Sequence, residues 1–294
     1  MSAKRHAAAA AALLSALVLA ACGGPVTAGT ARDATAARVA PEHVVPAPNN
    51  LIAAAEPQPN GIMWVIAGNS SVGLFELGSA SGKVAGSVPV SSGARSVAES
   101  AGVLGLALAT RRSGALQLLN GQTAKLVRTV ALPAPARQVV PGSDGTTFYV
   151  LTAWPASASV TIVNSRNGKL LGNVPVPADT ASIAPDIQQT TLYVLQRNGV
   201  VDAISITSGQ ITARFRVGDT GLSIALSPDG STLYVLKGTG QVFNVAVVDV
   251  RTESVRRVVP APSHCRELVV SATGSQLYEV VGTSGYGNIQ VFPA

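Results

Sequence analysis

The chain has 294 residues, with 21 Lys and Arg against 15 Asp and Glu, for a formal net charge of +6. Charged residues make up only 12%, about half the share usual in globular domains. The basic ones are scattered, apart from the pairs Arg111-Arg112 and Arg256-Arg257, and no Lys/Arg run interleaves with aromatics. Nucleic acid is therefore not an expected partner.

In chain order, Met1–His6 carries Lys4 and Arg5, and Ala7–Ala21 is an apolar or small run broken only by Ser15. A charged head, an apolar middle and a small-residue exit make a secretory signal. The run is short for a bilayer span, which needs about 20 residues, and no later apolar run reaches that length. It ends in Leu19-Ala20-Ala21-Cys22-Gly23. This resembles the lipobox of bacterial lipoproteins. The resemblance implies that residues 1–21 are removed and that Cys22 becomes the first residue, carrying a diacylglycerol thioether and an N-acyl chain of the palmitate type. Two or three acyl chains anchor stably where one does not. The implied address is the cell membrane, on its extracytoplasmic face. An ordinary cleavable signal followed by an incidental Cys is the alternative. Lys4 and Arg5 fall within the removed segment, which leaves 19 basic against 15 acidic groups. The Thr- and Gly-rich residues 22–36 read as a tether, and 37–294 as one domain.

That domain repeats. Met63–Ile66, Phe148–Leu151, Leu192–Leu195, Leu233–Leu236 and Leu277–Val280 all read as strands, with aromatics at 64, 149, 193, 234 and 278. The steps are 85, 44, 41 and 44, and Leu104–Leu108 fills the double step as a degenerate member. Turns such as Pro59-Asn60-Gly61, Ser143-Asp144-Gly145 and Ser227-Pro228-Asp229-Gly230 precede these strands. Asn-Gly and Asp-Gly supply the positive φ of tight turns. Second runs follow, such as Val72–Leu77 and Ser159–Val163. Third runs come next, such as Val84–Val90, Leu126–Leu132 and Leu170–Val176. A short fourth run, such as Leu222–Leu226, leads to the next turn. Four strands in each of six periods near 43 residues predict an all-β, six-bladed β-propeller.

The phrase Ser-Pro-Asp-Gly-Ser-Thr-Leu-Tyr-Val at 227–235, with the recurring Leu-Tyr-Val and Val-x-Val-Asp, resembles the YVTN-type (YVTN/WD40-like) propeller repeat. The likeness is strong over 187–274 and weak over 62–142. Tyr-Val-Leu stands where the family has Tyr-Val-Thr.

The sixth repeat has room for only two runs, Leu277–Val281 and Asn288–Phe292, before Ala294. Two runs are left over at the other end, 38–45 and 51–55. Val44-Val45-Pro46-Ala47-Pro48 repeats the phrase Val258-Val259-Pro260-Ala261-Pro262. N-terminal strands are thus expected to supply the missing half of the last blade, closing the ring and removing a free edge.

Chemistry is sparse. With Cys22 lipidated, Cys265 has no disulfide partner and is expected to be buried beside Leu268–Val270. His43, His264 and Cys265 are too few for a metal centre, which needs three or more converging ligands. His264-Cys265-Arg266-Glu267 reads as a loop entering a strand. Gly-x-Ser-x-Gly and glycine-rich phosphate loops are absent, so no catalytic residue and no cofactor are assigned. One pattern stands out. The first positions of the fourth runs hold Ala53, Arg95, Arg137, Ala181, Leu222 and Arg266. Innermost propeller strands start at a channel mouth, so Arg95, Arg137 and Arg266 form a candidate anion-binding mouth, because guanidinium forks suit carboxylates and phosphates. Three solvated strand-end arginines are the simpler alternative.

The expected function is a monomeric, lipid-anchored binding platform for an envelope protein or glycan, attached to the membrane through Cys22. The alternatives are a propeller enzyme, lactonase-like or quinoprotein-dehydrogenase-like by the family resemblance, and a purely structural envelope protein.

Overall fold

The computed structural model describes residues 40–294. The signal-like segment, Cys22 and the tether 22–36 lie outside the described residues. All regular structure among the described residues is strand, arranged as six four-stranded antiparallel sheets. After β1 (His43–Ala47), blade 1 comprises β2 (Leu51–Ala54), β3 (Ile62–Gly68), β4 (Val72–Gly78) and β5 (Val84–Val90). Blade 2 comprises β6 (Ala94–Ser100), β7 (Val103–Ala109), β8 (Gly114–Asn120) and β9 (Leu126–Leu132). Blade 3 comprises β10 (Ala136–Pro141), β11 (Thr147–Trp154), β12 (Ser157–Asn164) and β13 (Leu170–Val176). Blade 4 comprises β14 (Thr180–Pro185), β15 (Thr191–Gln196), β16 (Val200–Ser205) and β17 (Ile211–Arg216). Blade 5 comprises β18 (Ser223–Leu226), β19 (Thr232–Thr239), β20 (Val242–Asp249) and β21 (Ser254–Ala261). Blade 6 comprises β22 (Cys265–Val270), β23 (Gln276–Thr283) and β24 (Tyr286–Pro293), with β1 as its outermost strand.

Each fourth run of the sequence crosses over to become the inner strand of the next blade. Leu51–Ala54 therefore opens blade 1, and the N-terminus gives blade 6 one strand, β1, where two were expected. The twin phrases hold the same place. Val45 pairs with Ile289 and Pro46 with Asn288, just as Val259 pairs with Val245 and Pro260 with Asn244. Pro89 and Pro175 sit at the same register of β5 and β13. Proline lacks an N–H, and the free side of an outermost strand is where none is needed.

The ring is held by six apolar clusters, one between each pair of neighbouring blades. That between blades 1 and 2 joins Trp64, Ile66 and Leu74 to Leu104 and Leu106. That between blades 6 and 1 joins Tyr278, Val280 and Ile289 to Met63, Val65 and Leu77, with Val45 of β1 inside it. The second strand of each blade is sandwiched between its neighbours and is buried along at least half of its length; Thr147–Ala153 of β11 is fully so. Outer strands alternate or face water, as in Leu126–Thr129 of β9. The loss of the aromatic in blade 2 has a packing cause. A Cβ on Gly105, which holds the place of Tyr149, would lie 3.0 Å from the Phe148 ring of blade 3. Phe148 fills the space that a blade 2 aromatic would need.

Candidate functional site

All six inner strands run the same way along the central channel. They start at the end where the chain passes from blade to blade, the connection face. They finish where each inner strand turns into the second strand, the turn face. The turns there are locked by short acids. Asp144 Oδ1 accepts from Thr146 N at 2.9 Å, and Asp229 Oδ1 accepts from Ser231 N at 3.0 Å. Gly145 and Gly230 supply φ values of 63° and 73°, a left-handed backbone that glycine adopts without strain. Hydrogen bonds from Ser227 and Ser231 hold the Asp229 carboxyl down at about 2. The phenol of Tyr149, raised to about 12 first by burial and then by Asp144 and Asp186, donates to Gln189 Oε1 at 3.0 Å.

Five of the six inner strands begin with a bulge, and β18 pairs without one. The pairing shifts between Leu51 and Ala53, Ala94 and Ser96, Ala136 and Gln138, Thr180 and Ser182, and Cys265 and Glu267. Arg95, Arg137 and Arg266 are therefore equivalent bulge residues on blades 2, 3 and 6, all exposed at the connection face. Ile52, rather than Ala53, is their counterpart in blade 1. Arg95 Nη1 donates to Ser92 O and Ala94 O at 3.3 and 3.1 Å. Arg266 Nε donates to Gly282 O at 2.9 Å, and its Nη2 to Asn50 Oδ1 at 3.4 Å. The forks of Arg95 and Arg266 are thus steadied by backbone or amide oxygens and not by a carboxylate.

One residue beyond the bulge lies a feature that the sequence reading missed. Ser96 Oγ accepts from Val139 N at 3.2 Å, and Gln138 Oε1 from Ile183 N at 2.8 Å. Ser182 Oγ accepts from Ile224 N at 3.1 Å, and Ser223 Oγ from Leu268 N at 3.1 Å. Glu267 Oε2 accepts from Ala54 N at 3.0 Å. Each side chain takes the same backbone N–H of the next blade, so five of the six junctions carry one clasp. The sixth has Ala53, which offers no acceptor. A polar residue at this one place in five of six repeats was the available signal.

Beyond the clasps the inner strands line a cavity of about 470 Å³. Every blade contributes to its wall, including Glu56, Glu99, Ser100, Gln138 and Glu267. Glu99 Oε1 accepts from Gly102 N at 2.6 Å. Burial, and then repulsion from Glu99, raises the Glu56 carboxyl to about 7. Burial raises Glu267 to about 7 as well, against the opposing pull of its bond from Ala54. Ser100 is 4% exposed, and its Oγ has no partner among the described residues. The arginines do not line this cavity, so the channel is basic at one mouth and acidic within.

The histidines do not meet. His43 starts β1 at the turn face, whereas His264 lies at the connection face. No group of three or more His, Cys, Asp or Glu suited to a metal occurs among the described residues. Cys265 is buried, as expected, at 3% exposure.

No protein-family model matches this sequence, and no curated protein matches it. Among solved structures, Kuenenia stuttgartiensis hydrazine synthase is similar, with a TM-score of 0.62 at 14% identity. The similarity covers 78% of this chain and 73% of that one. At that identity it is a likeness of fold, and it identifies this chain as a β-propeller.

Proposed function

We propose that this propeller is a lipid-anchored, extracytoplasmic binding platform of the bacterial cell envelope. The observation that carries the reading is the closed ring with chemically distinct ends. Exposed arginines stand at one mouth, and a cavity of about 470 Å³ is lined from all six blades. Rigid rings that offer loops and a central pocket suit recognition. The address rests on Leu19-Ala20-Ala21-Cys22 after the apolar run. The likeness to YVTN-type repeats supports the platform role.

Two measurements test it. Metabolic labelling with a fatty acid should mark the wild type and not Cys22→Ser, which should leave the membrane fraction. Crosslinking in intact cells, followed by pull-down and mass spectrometry, should recover an envelope component. Labelling that survives in Cys22→Ser overturns the anchor, and recovery of nothing beyond background overturns the platform.

A propeller enzyme is the second reading. It is favoured by Glu56 and Glu267, whose carboxyls sit at about 7 within one cavity, a range suited to general acid–base work. Turnover of a lactone panel that disappears in Glu267→Gln would select it.

A further inference from the structure

The basic residues that are scattered in sequence are sorted by the fold. Arg95, Arg137 and Arg266 occupy inner-strand bulges at the connection face. Arg111 and Arg112 lie in the β7–β8 loop and Arg197 in the β15–β16 loop, both at the same end. All six are exposed, and none has a carboxylate partner among the described residues. Arg216 and Lys237 also reach this face. Arg216 pairs with Asp219 at 3.3 Å, and Lys237 Nζ donates to Val217 O at 3.2 Å. Asp179 and Asp219 are the acids of the blade connections there. The turn face carries both signs, with Lys83, Lys125 and Lys169 set against Asp144, Asp186 and Asp229. The excess positive charge of the ring is thus concentrated on one end.

We propose that the connection face binds a linear polyanion of the cell envelope, a glycopolymer with repeating phosphate or carboxylate groups. This deepens the platform reading and rests on it for the envelope setting. The six arginines come from four blades, spread around and outside the channel mouth. That distribution suits anionic groups repeated along a chain more than a single small anion. Guanidinium forks match both phosphate and carboxylate, and a concentrated field of one sign speeds capture. β1 starts at the turn face, the end opposite the arginines.

The test uses the full-length protein in detergent, with polyphosphate and polygalacturonate as probes. Binding should weaken with salt, and the slope of log affinity against log salt should fall by about three in R95Q/R137Q/R266Q, about one per lost contact. Because Arg95 and Arg266 also bond local carbonyls, R111Q/R112Q serves as a second variant and should lower the slope by about two. K83Q/K125Q/K169Q removes equal charge from the turn face and should leave the slope unchanged. Inorganic phosphate should compete poorly. Equal weakening by the two triple variants overturns the proposal, as does an unchanged slope in all variants or no binding to either polymer at low salt. Tighter binding to anionic phospholipid vesicles would make the partner a membrane, and tighter binding to duplex DNA would make it a nucleic acid. Either also overturns the proposal. Loss of fatty-acid labelling with polymer binding intact would instead strike only the anchoring reading.

Discussion

Blade 1 meets its two neighbours differently. Against blade 6 it is clasped, with Glu267 Oε2 accepting from Ala54 N at 3.0 Å, and β1 adds a strand that carries Val45 into the shared cluster. Against blade 2 it presents Ala53, and the junction rests on the apolar cluster of Trp64, Ile66, Leu104 and Leu106. The chain itself supplies the difference. Blades 1 and 2 are joined by the short link from β5 to β6, so parting them frees little chain entropy. β1 of blade 6 runs directly into β2 of blade 1, but β22–β24 of blade 6 lie at the other end of the domain from blade 1. Holding them together closes a loop the length of the whole ring, which costs more. The junction with the greater entropic cost has both the added strand and the polar clasp.

The largest expected effect comes from removing residues 40–47. β24 would lose its ladder partner and lie as an open edge, and Val45 would leave the cluster. The shortened protein should lose cooperative melting and aggregate. A soluble variant with an unchanged melting curve would show that closure does not depend on β1.

Next comes the clasp. Glu267→Ala leaves the Ala54 N–H without its acceptor and should cost about 1–3 kcal/mol, as should Ser223→Ala at the junction of blades 5 and 6. Glu267 adds a pH signature that Ser223 lacks. Its carboxyl sits at about 7 in the fold against an ordinary 4.5. Between those values the folded protein keeps a proton that the unfolded chain has lost. Stability therefore falls as pH rises from 4.5 to 7 and then levels off. Glu267→Gln keeps an oxygen for Ala54 without the charge. It should flatten part of that decline and melt higher than wild type above pH 7. Glu56, raised in the same direction, accounts for a remaining decline, which E56Q/E267Q should remove. Identical pH profiles for wild type and Glu267→Gln would mean that Glu267 ionises freely within the channel.

Architecture was legible because a propeller writes its period into the chain. Turn glycines, Leu-Tyr-Val strands and alternating runs return every 40 to 45 residues, and Val84–Val90, Leu126–Leu132 and Leu170–Val176 are strands to the residue. The frame was harder to see. Nothing local marks Leu51–Ala54 as belonging with the strand after it, since an inner strand is set by its position on the axis. The clasps escaped for a related reason. Ser96, Gln138, Ser182, Ser223 and Glu267 differ in length and chemistry, and they share only the partner that the ring brings to them. The cavity carboxyls Glu56 and Glu99 hold equivalent places in adjacent blades. They stand one period of 43 residues apart, so the repeat sets them on neighbouring blades, but only the placement of both inner strands on the axis brings them into one cavity. The arginine mouth was legible in part: Arg95, Arg137 and Arg266 recur at the start of the fourth runs, whereas Arg111, Arg112 and Arg197 join them only through loops that the ring brings to the same end.

The finest test makes the two junctions of blade 1 alike. Ala53 stands where Ser96, Ser182 and Ser223 stand in their blades, and Val97 N is the counterpart of Val139 N, Ile224 N and Leu268 N. Ala53→Ser should therefore place a hydroxyl within reach of Val97 N and add about 0.5–1.5 kcal/mol, the net worth of one hydrogen bond. Ser buries no more than one extra oxygen, and three junctions already accommodate it. If the clasp is a general device of this ring, the variant melts higher, and Val97 N–H exchanges more slowly than in wild type. The hydrogen-exchange readout separates a clasp from a diffuse packing change. If Ala53→Ser melts lower with Val97 exchange unchanged, the apolar contacts of Trp64 and Leu104 hold this junction at a spacing no clasp can bridge. Blade 1 would then be fitted to its two neighbours by different rules.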